Sequence, residues 1–364
     1  MQPLSFVQPR TIAESSLYAY TIFFAGIIVL ILIATGIYLR IKKRRFMQEK
    51  QVQEFFDHWL SEALFGDFSN GAAVEVPPML QDLPHNRIAR QYAINQLINT
   101  RKNLTGVAAR NVVSLYEQLG LRDTSVRKLH SHVWYLRAKG IHELYMMEQQ
   151  DTKPLIQQYT NSQNEYVRLE AQTAMLSFEG FAGLHFLNTL TRPMNNWQQV
   201  KLLDQLLPLD PGHFEQLPQW LRSPVDSVVE FALKLAEIYQ QMQVKEEATA
   251  CLQHPSLKVQ VQAVKTLTRI GDEASAAILV ALYATAGTQL RKAILNALEH
   301  IASDQERPFL EQELENGNPA VQLQAARIVA NCCTNGMQLL QQKAQVAPVY
   351  DRIFLHIKSL RARS

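Results

Sequence analysis

The stretch His254–Gly271, HPSLKVQVQAVKTLTRIG, decides the fold. Its start alternates like a strand: Val259, Val261 and Ala263 are separated by Gln260 and Gln262. A longer register reads differently. Val259, Ala263, Leu267 and Ile270 stand at i, i+4, i+8 and i+11, and these offsets fall within about 80° of one another on a helix. The same column recurs in Leu290, Ile294, Leu298 and Ile301, and again in Val321, Ala325, Val329 and Cys332. Upstream it recurs in Val228, Ala232, Ala236 and Tyr239, and in Val167, Ala171, Met175 and Phe178. A degenerate copy is expected to start at Val200, with Asp204 and Pro208 interrupting the column. As strands these residues would fall on both faces of a sheet, so the segment is helical.

Between these helices lie other apolar stretches, such as Glu273–Gly287 and Arg307–Pro319, each closed by Gly, Asn or Pro. A repeat of about 31 residues with two helices is an α-solenoid unit, in which each unit covers its neighbour's apolar face.

The segments NEYVRLEAQTAM, HPSLKVQVQAVKTL and NGNPAVQLQAARIV resemble HEAT-type repeats, in the short HEAT-like form also found in phycobilisome lyases. The shared pattern is a polar or Pro turn followed by Val-Arg/Gln-x-x-Ala on the second helix. The resemblance covers residues 160–335. It is weaker over 80–140, where VRKLHSHVWYL places His130 in the Ala position. It implies an architecture in which the second helices line a concave surface, and it leaves the activity open.

Composition sets limits. Of the 364 residues 47% are hydrophobic, enough for a large core, and 19% are charged. Three cysteines, Cys251, Cys332 and Cys333, form no readable disulfide framework, which suits a reducing compartment. The net charge of +3 is unevenly spread. Arg40, Lys42, Lys43, Arg44, Arg45 and Lys50 against Glu49 give residues 40–50 a charge of +5. Residues 351–364 carry +3, so the body between, 51–350, carries −5. That profile argues against a nucleic-acid binder.

Leu17–Leu39 is a run of 23 uncharged residues, long enough for the ~30 Å hydrocarbon layer. Tyr18, Tyr20 and Tyr38 mark its ends, where aromatic rings favour the headgroup level. A cleaved signal peptide has a basic start and a shorter apolar run. Here the basic cluster follows the run instead. The expectation is an uncleaved anchor with Arg40, Lys42, Lys43, Arg44 and Arg45 at the membrane surface. This cluster sets the topology, N-terminus outside and C-terminal bulk cytoplasmic, and is also suited to anionic lipid. The short outer tail favours a bacterial inner membrane. Ala25, Gly26, Ala34 and Gly36 leave room for self-association through the segment.

The expected chain is therefore all-α. A short outer tail (1–16) leads to a transmembrane helix (17–39), then to a basic juxtamembrane segment with a connector helix (40–79). A HEAT-like α-solenoid (80–340) follows, then a C-terminal capping helix with a basic tail (341–364) that could instead meet a membrane or a partner.

No constellation for catalysis is readable. There is no Gly-rich phosphate loop, no His-Glu-x-x-His and no Cys-x-x-Cys. His130 and His132 diverge on a helix, and no histidine joins carboxylates at metal-ligand spacing. Cys332 takes a core position and reads as a buried thiol, with Cys333 the more exposed. No metal or other cofactor is expected. One feature suggests binding. The i+6 position lies opposite the buried stripe and holds Lys234, Lys265, Asn296 and Arg327, with Arg269 and His300 nearby at i+10. This basic-to-polar ladder either grips an acidic or phosphorylated protein segment or is an ordinary solvated face.

The expected function is a membrane-anchored cytoplasmic scaffold, not an enzyme, that binds protein partners and organises a signalling or envelope-synthesis complex. The rival reading, raised by the resemblance, is a lyase-like enzyme or carrier for a chromophore or small molecule.

Overall fold

A computed structural model describes residues 14–65, 76–81, 86–209 and 214–361, and every regular element among them is helical. The chain divides into two compact units, Met1–Arg127 and Lys128–Ser364.

The first unit includes one continuous helix of 52 residues, Glu14–Phe65. Its segment Ile22–Arg40 has a mean hydropathy of 2.7 and buries nothing. Length and composition allow this segment to cross a membrane. The apolar run and the connector are thus one unbroken helix rather than two. Near its C-terminal end Phe56, Trp59, Leu60 and Ala63 are buried, at the i, i+3, i+4 and i+7 spacing of one helical face. They pack against the helices Arg87–Lys102 and Gly106–Gln118. Phe56 meets Tyr92 edge-on, with ring centroids 6.4 Å apart, and the Tyr92 hydroxyl donates to Asp57 at 2.7 Å.

The second unit is a stack of helical repeats. Its second helices are Trp134–Met146, Glu165–Glu179, Asn196–Leu206, Asp226–Ile238, Leu257–Ile270, Thr288–Ile301 and Pro319–Cys332. Successive ones pack on each other, except that Asn196–Leu206 and Asp226–Ile238 make little direct contact, and Asp226–Ile238 packs on Leu257–Ile270 most extensively. The opening stretch is helical as its longer register demands, with Val259, Ala263, Leu267 and Ile270 all buried. Fully burying a Val, Leu or Ile side chain contributes roughly 1.5–3 kcal/mol, so a repeated column of this kind dominates the stack.

Two details depart from the sequence reading. The first helices reach full length only from Glu273–Tyr283 onward. Earlier ones are single turns, Lys153–Gln157 and Leu217–Trp220, or the 3-10 segment Gly180–Asn188. That 3-10 segment packs closely on the Glu165–Glu179 helix: a Cβ at Gly183 would overlap the Met175 carbonyl. The degenerate copy is also in another register. Val200, Asp204 and Pro208 are exposed, while Gln198, Leu202 and Leu206 form the buried column.

At the C-terminal end, the helix Pro348–Arg361 follows Gly336–Val346. It buries Ile357 but leaves Val349 and Leu360 exposed. Arg361 donates to the Ala330 carbonyl at 2.6 Å and to Asn331 at 3.0 Å, so this basic side chain closes the last second helix. The cysteines reverse expectation. Cys333 is buried and Cys332 half-buried, its thiol 3.4 Å from the Glu299 carbonyl.

Candidate functional site: a groove along the second helices

Three of the second helices start from side-chain caps. Asn164 accepts from the backbone N–H groups of Tyr166 and Val167. Asn195 and Gln198 form a reciprocal capping box, and Asn318 accepts from Ala320 and Val321. Each such cap contributes about 1 kcal/mol and sets which side chains stand at the helix mouth.

Polar side chains tie successive second helices together. Glu170 accepts from Lys201 of the next repeat at 2.9 Å and lies 3.1 Å from His142 of the previous one. The Tyr145 hydroxyl also donates to Glu170 at 3.1 Å. Burial would raise the Glu170 carboxyl, but the hydrogen bond with His142 and the charge and hydrogen bond of Lys201 outweigh it and hold the group at about 2. Burial and the Glu170 charge in turn push the Tyr145 phenol well above its usual range. Gln262 donates to Glu237 at 2.6 Å two repeat pairs further on.

The six ladder residues divide into two groups. Lys234 is half-buried and donates to Gln199 and Glu230, each at 2.7 Å. Arg327 pairs with Glu299, and Asn296 accepts from Gln324 at 2.6 Å. These three stitch repeats to one another. Lys265, Arg269 and His300 are at least partly exposed and, among the described residues, make no ion pair. They come together at one cavity of about 330 Å³ between the Leu257 and Thr288 helices, where Lys292 and one carboxylate, that of Glu237, join them. Lys292 is absent from the sequence reading, although it shares a helical line with Asn296 and His300 at steps of four. The Lys42 and Lys43 side chains are exposed on the long helix, as is Arg40, with the Lys42 ammonium 5.9 Å from the Tyr38 ring. The Arg44 and Arg45 side chains, and the tail 1–13, lie outside the described residues.

The cationic cavity opens into a larger groove of about 1340 Å³, which runs from Trp197 past Lys234 to Lys258 and Lys265. Lys265, Val261 and Gln289 line both spaces. Sequence reasoning also missed the aromatic residues at the helix mouths. Trp134 stacks on Tyr166 with centroids 5.3 Å apart and planes 25° apart. Tyr166 and Trp197 each stand one residue before the true column, Val167 and Gln198, but the misplaced start at Val200 hid that relationship. Among the described residues no cluster of His, Cys, Asp and Glu is arranged to hold a metal ion.

No family pattern and no curated relative matches the chain. Solved structures similar to it include an engineered protein, 16% identical, with 84% of this chain and 98% of that one covered and a TM-score of 0.37. The complex of CpcE and CpcF of phycocyanin lyase from Nostoc sp. PCC7120 is 15% identical, with 80% and 97% covered and a TM-score of 0.24. A second engineered protein is 16% identical, with 69% and 94% covered and the same TM-score. At this level of agreement they carry no argument about what the chain binds. The helical-repeat architecture stands on the chain's own packing.

Proposed function

We propose that this chain is a membrane-tethered scaffold whose repeat unit grips an extended, acidic segment of a protein partner. The observation that carries the reading is the meeting of Lys265, Arg269, Lys292 and His300 at the end of a long open groove. These basic groups outnumber the one carboxylate in the cavity, that of Glu237, and attract anions, and an elongated groove suits an extended chain better than a compact small molecule. In this reading the chain binds and does not catalyse. Glu170, the most perturbed carboxylate, serves as a tie between repeats.

The tether is the segment Ile22–Arg40. Ile22, Leu30 and Leu32 are each more than 60% exposed, which supports lipid as their surroundings. The basic residues after it support a cytoplasmic repeat unit. Confinement at a membrane raises the effective concentration of the scaffold near membrane-associated partners.

The test uses the full chain in lipid nanodiscs and a fluorescent peptide rich in Glu. Lys265→Glu combined with Arg269→Glu should weaken binding at least tenfold, whereas Lys102→Glu in the first unit should leave it unchanged. Equal affinity for the charge-reversed and unaltered chains would overturn the reading. Resistance of the expressed chain to alkaline carbonate extraction tests the tether, and its release into the supernatant would remove the membrane from the proposal.

A further inference from the structure

The basic recess at the end of the groove is built by two helices that pack directly on each other. On Leu257–Ile270, Lys265 and Arg269 stand four residues apart and share one face. On Thr288–Ile301, Lys292, Asn296 and His300 form a second row at steps of four. The apolar lining between the rows is Val261, Ala293 and Ala297, all short side chains, and the space they leave is the cavity of about 330 Å³.

Donors dominate the polar lining. Lysine and arginine side chains donate and cannot accept. The Asn296 carbonyl oxygen is taken by Gln324 at 2.6 Å, which leaves the amide N–H groups of Asn296 to donate. The carboxylate of Glu237 already accepts from Gln262 at 2.6 Å. Three permanent cations, Lys265, Arg269 and Lys292, against this one carboxylate leave the recess a charge of +2 with His300 neutral. Such a recess selects a compact anion rich in acceptors. The rest of the groove is balanced: Glu230 accepts from Lys234 at 2.7 Å, and Asp226 offsets Lys258. The cationic excess is therefore confined to one point instead of running along the groove.

That distribution separates two kinds of acidic segment. In an extended chain the side chains on one face recur every ~6.8 Å. A run of glutamates thus spreads single charges along the groove, where no excess of cations meets them. A phosphorylated serine or threonine brings about −1.5 to −2 charge and three acceptor oxygens to one point. Charge-assisted hydrogen bonds from Arg and Lys to phosphate are also among the strong ones. Resting on the acidic-segment reading above, we infer that the partner segment carries a phosphoserine or phosphothreonine whose phosphate sits among Lys265, Arg269, Lys292 and His300, with flanking residues of little net charge along the groove. Val261, Lys265 and Gln289 line both spaces, so the chain that bears the phosphate passes from the recess into the groove without a break. A free phosphate or a lipid headgroup would use the recess alone.

Fluorescence anisotropy with the full chain in nanodiscs of neutral lipid tests this. The probe is a short labelled peptide library of uncharged residues with phosphoserine, glutamate or serine fixed at the centre. The phosphoserine library should bind at least tenfold more tightly than the glutamate library, and the serine library should not bind. Lys292→Glu should remove that preference, as should Lys265→Glu combined with Arg269→Glu, whereas Lys102→Glu should leave it in place. Circular dichroism should be unchanged, because the Lys265, Arg269 and Lys292 side chains are exposed. If the peptide rich in Glu binds through Lys265 and Arg269 but phosphoserine gains nothing over glutamate, the phosphate is wrong while the acidic-segment reading stands. If charge reversal affects neither the phosphoserine library nor the peptide rich in Glu, the acidic-segment reading itself falls. Competition by inorganic phosphate as strong as that of unlabelled phosphopeptide would assign the recess to a free anion and overturn the inference. Equally strong competition by vesicles containing a phosphoinositide would assign it to a lipid headgroup, with the same consequence.

Discussion

Glu170 and Lys201 form an ion pair 2.9 Å long between successive second helices, and its carboxylate is only 19% exposed. The group titrates at about 2, against an ordinary value of 4.5. A depressed carboxyl stabilises the fold above its unfolded value and loses that contribution as pH falls through its folded one. The contribution is on the order of 3 kcal/mol. It should be complete above about pH 4.5 and fade towards pH 2. Denaturant titrations across this window should show Glu170→Gln losing stability at pH 7 while having a flatter acid limb than the unaltered chain. Parallel acid limbs would show that this ion pair is not what the acid titrates.

The displaced register of the Asn196–Leu206 helix makes a sharp pair of predictions. Leu202 is fully buried, whereas Val200 is 56% exposed. Leu202→Ala should cost roughly 2–5 kcal/mol and Val200→Ala about 0.5 kcal/mol or less. Urea midpoints decide between them, and the reverse order would restore the register that hydrophobicity alone suggests.

That register shows what a sequence reveals and what it hides. The columns led by Val167, Val228, Val259, Leu290 and Val321 are legible because their apolar residues repeat. In the remaining copy the leading place is taken by Gln198, which is 1% exposed. Its side chain accepts from the Asn195 backbone at 2.9 Å and reaches the Glu165 carbonyl, so its polarity is satisfied inside the stack. A search for apolar periodicity passes over such a residue. The basic ladder was half legible for a similar reason. Lys234 pairs with Glu230 four residues away on its own helix, a relation visible in sequence. Arg327 pairs with Glu299 of the preceding repeat, which only stacking reveals.

The thiols should be sluggish. Burial, assisted by the Glu247 charge, pushes Cys251 up to about 11, and burial with Asp304 does the same for Cys333. Burial also raises Cys332. Nucleophilic attack requires the thiolate, so at pH 8 the folded chain should react with a disulfide reagent much more slowly than the unfolded chain, in which all three cysteines titrate normally. Stopped-flow absorbance checks this. A rapid native phase equivalent to one thiol or more would show that these cysteines are accessible and reactive.

Two glycines near the C-terminal repeats should respond oppositely to substitution. Gly336 opens the helix Gly336–Val346, directly after Asn335 in the left-handed region at φ 59°. It is buried, and a Cβ there would overlap the Val329 carbonyl and crowd Ala330. These are backbone atoms of the adjacent second helix and cannot swing aside, so Gly336→Ala should force the last two helices outward. The expected cost is about 1–3 kcal/mol. Gly287 stands before the helix Thr288–Ile301 in extended conformation, and a Cβ there would meet no atom within 4 Å. Gly287→Ser can supply the side-chain acceptor that this helix start lacks and should stabilise by a few tenths of a kcal/mol. Thermal melts of the two variants should therefore shift in opposite directions. Loss of the Arg361 contact with Ala330 should accompany the fall in Gly336→Ala, read as faster amide exchange in residues 348–361, because the same displaced helix pair carries that side chain.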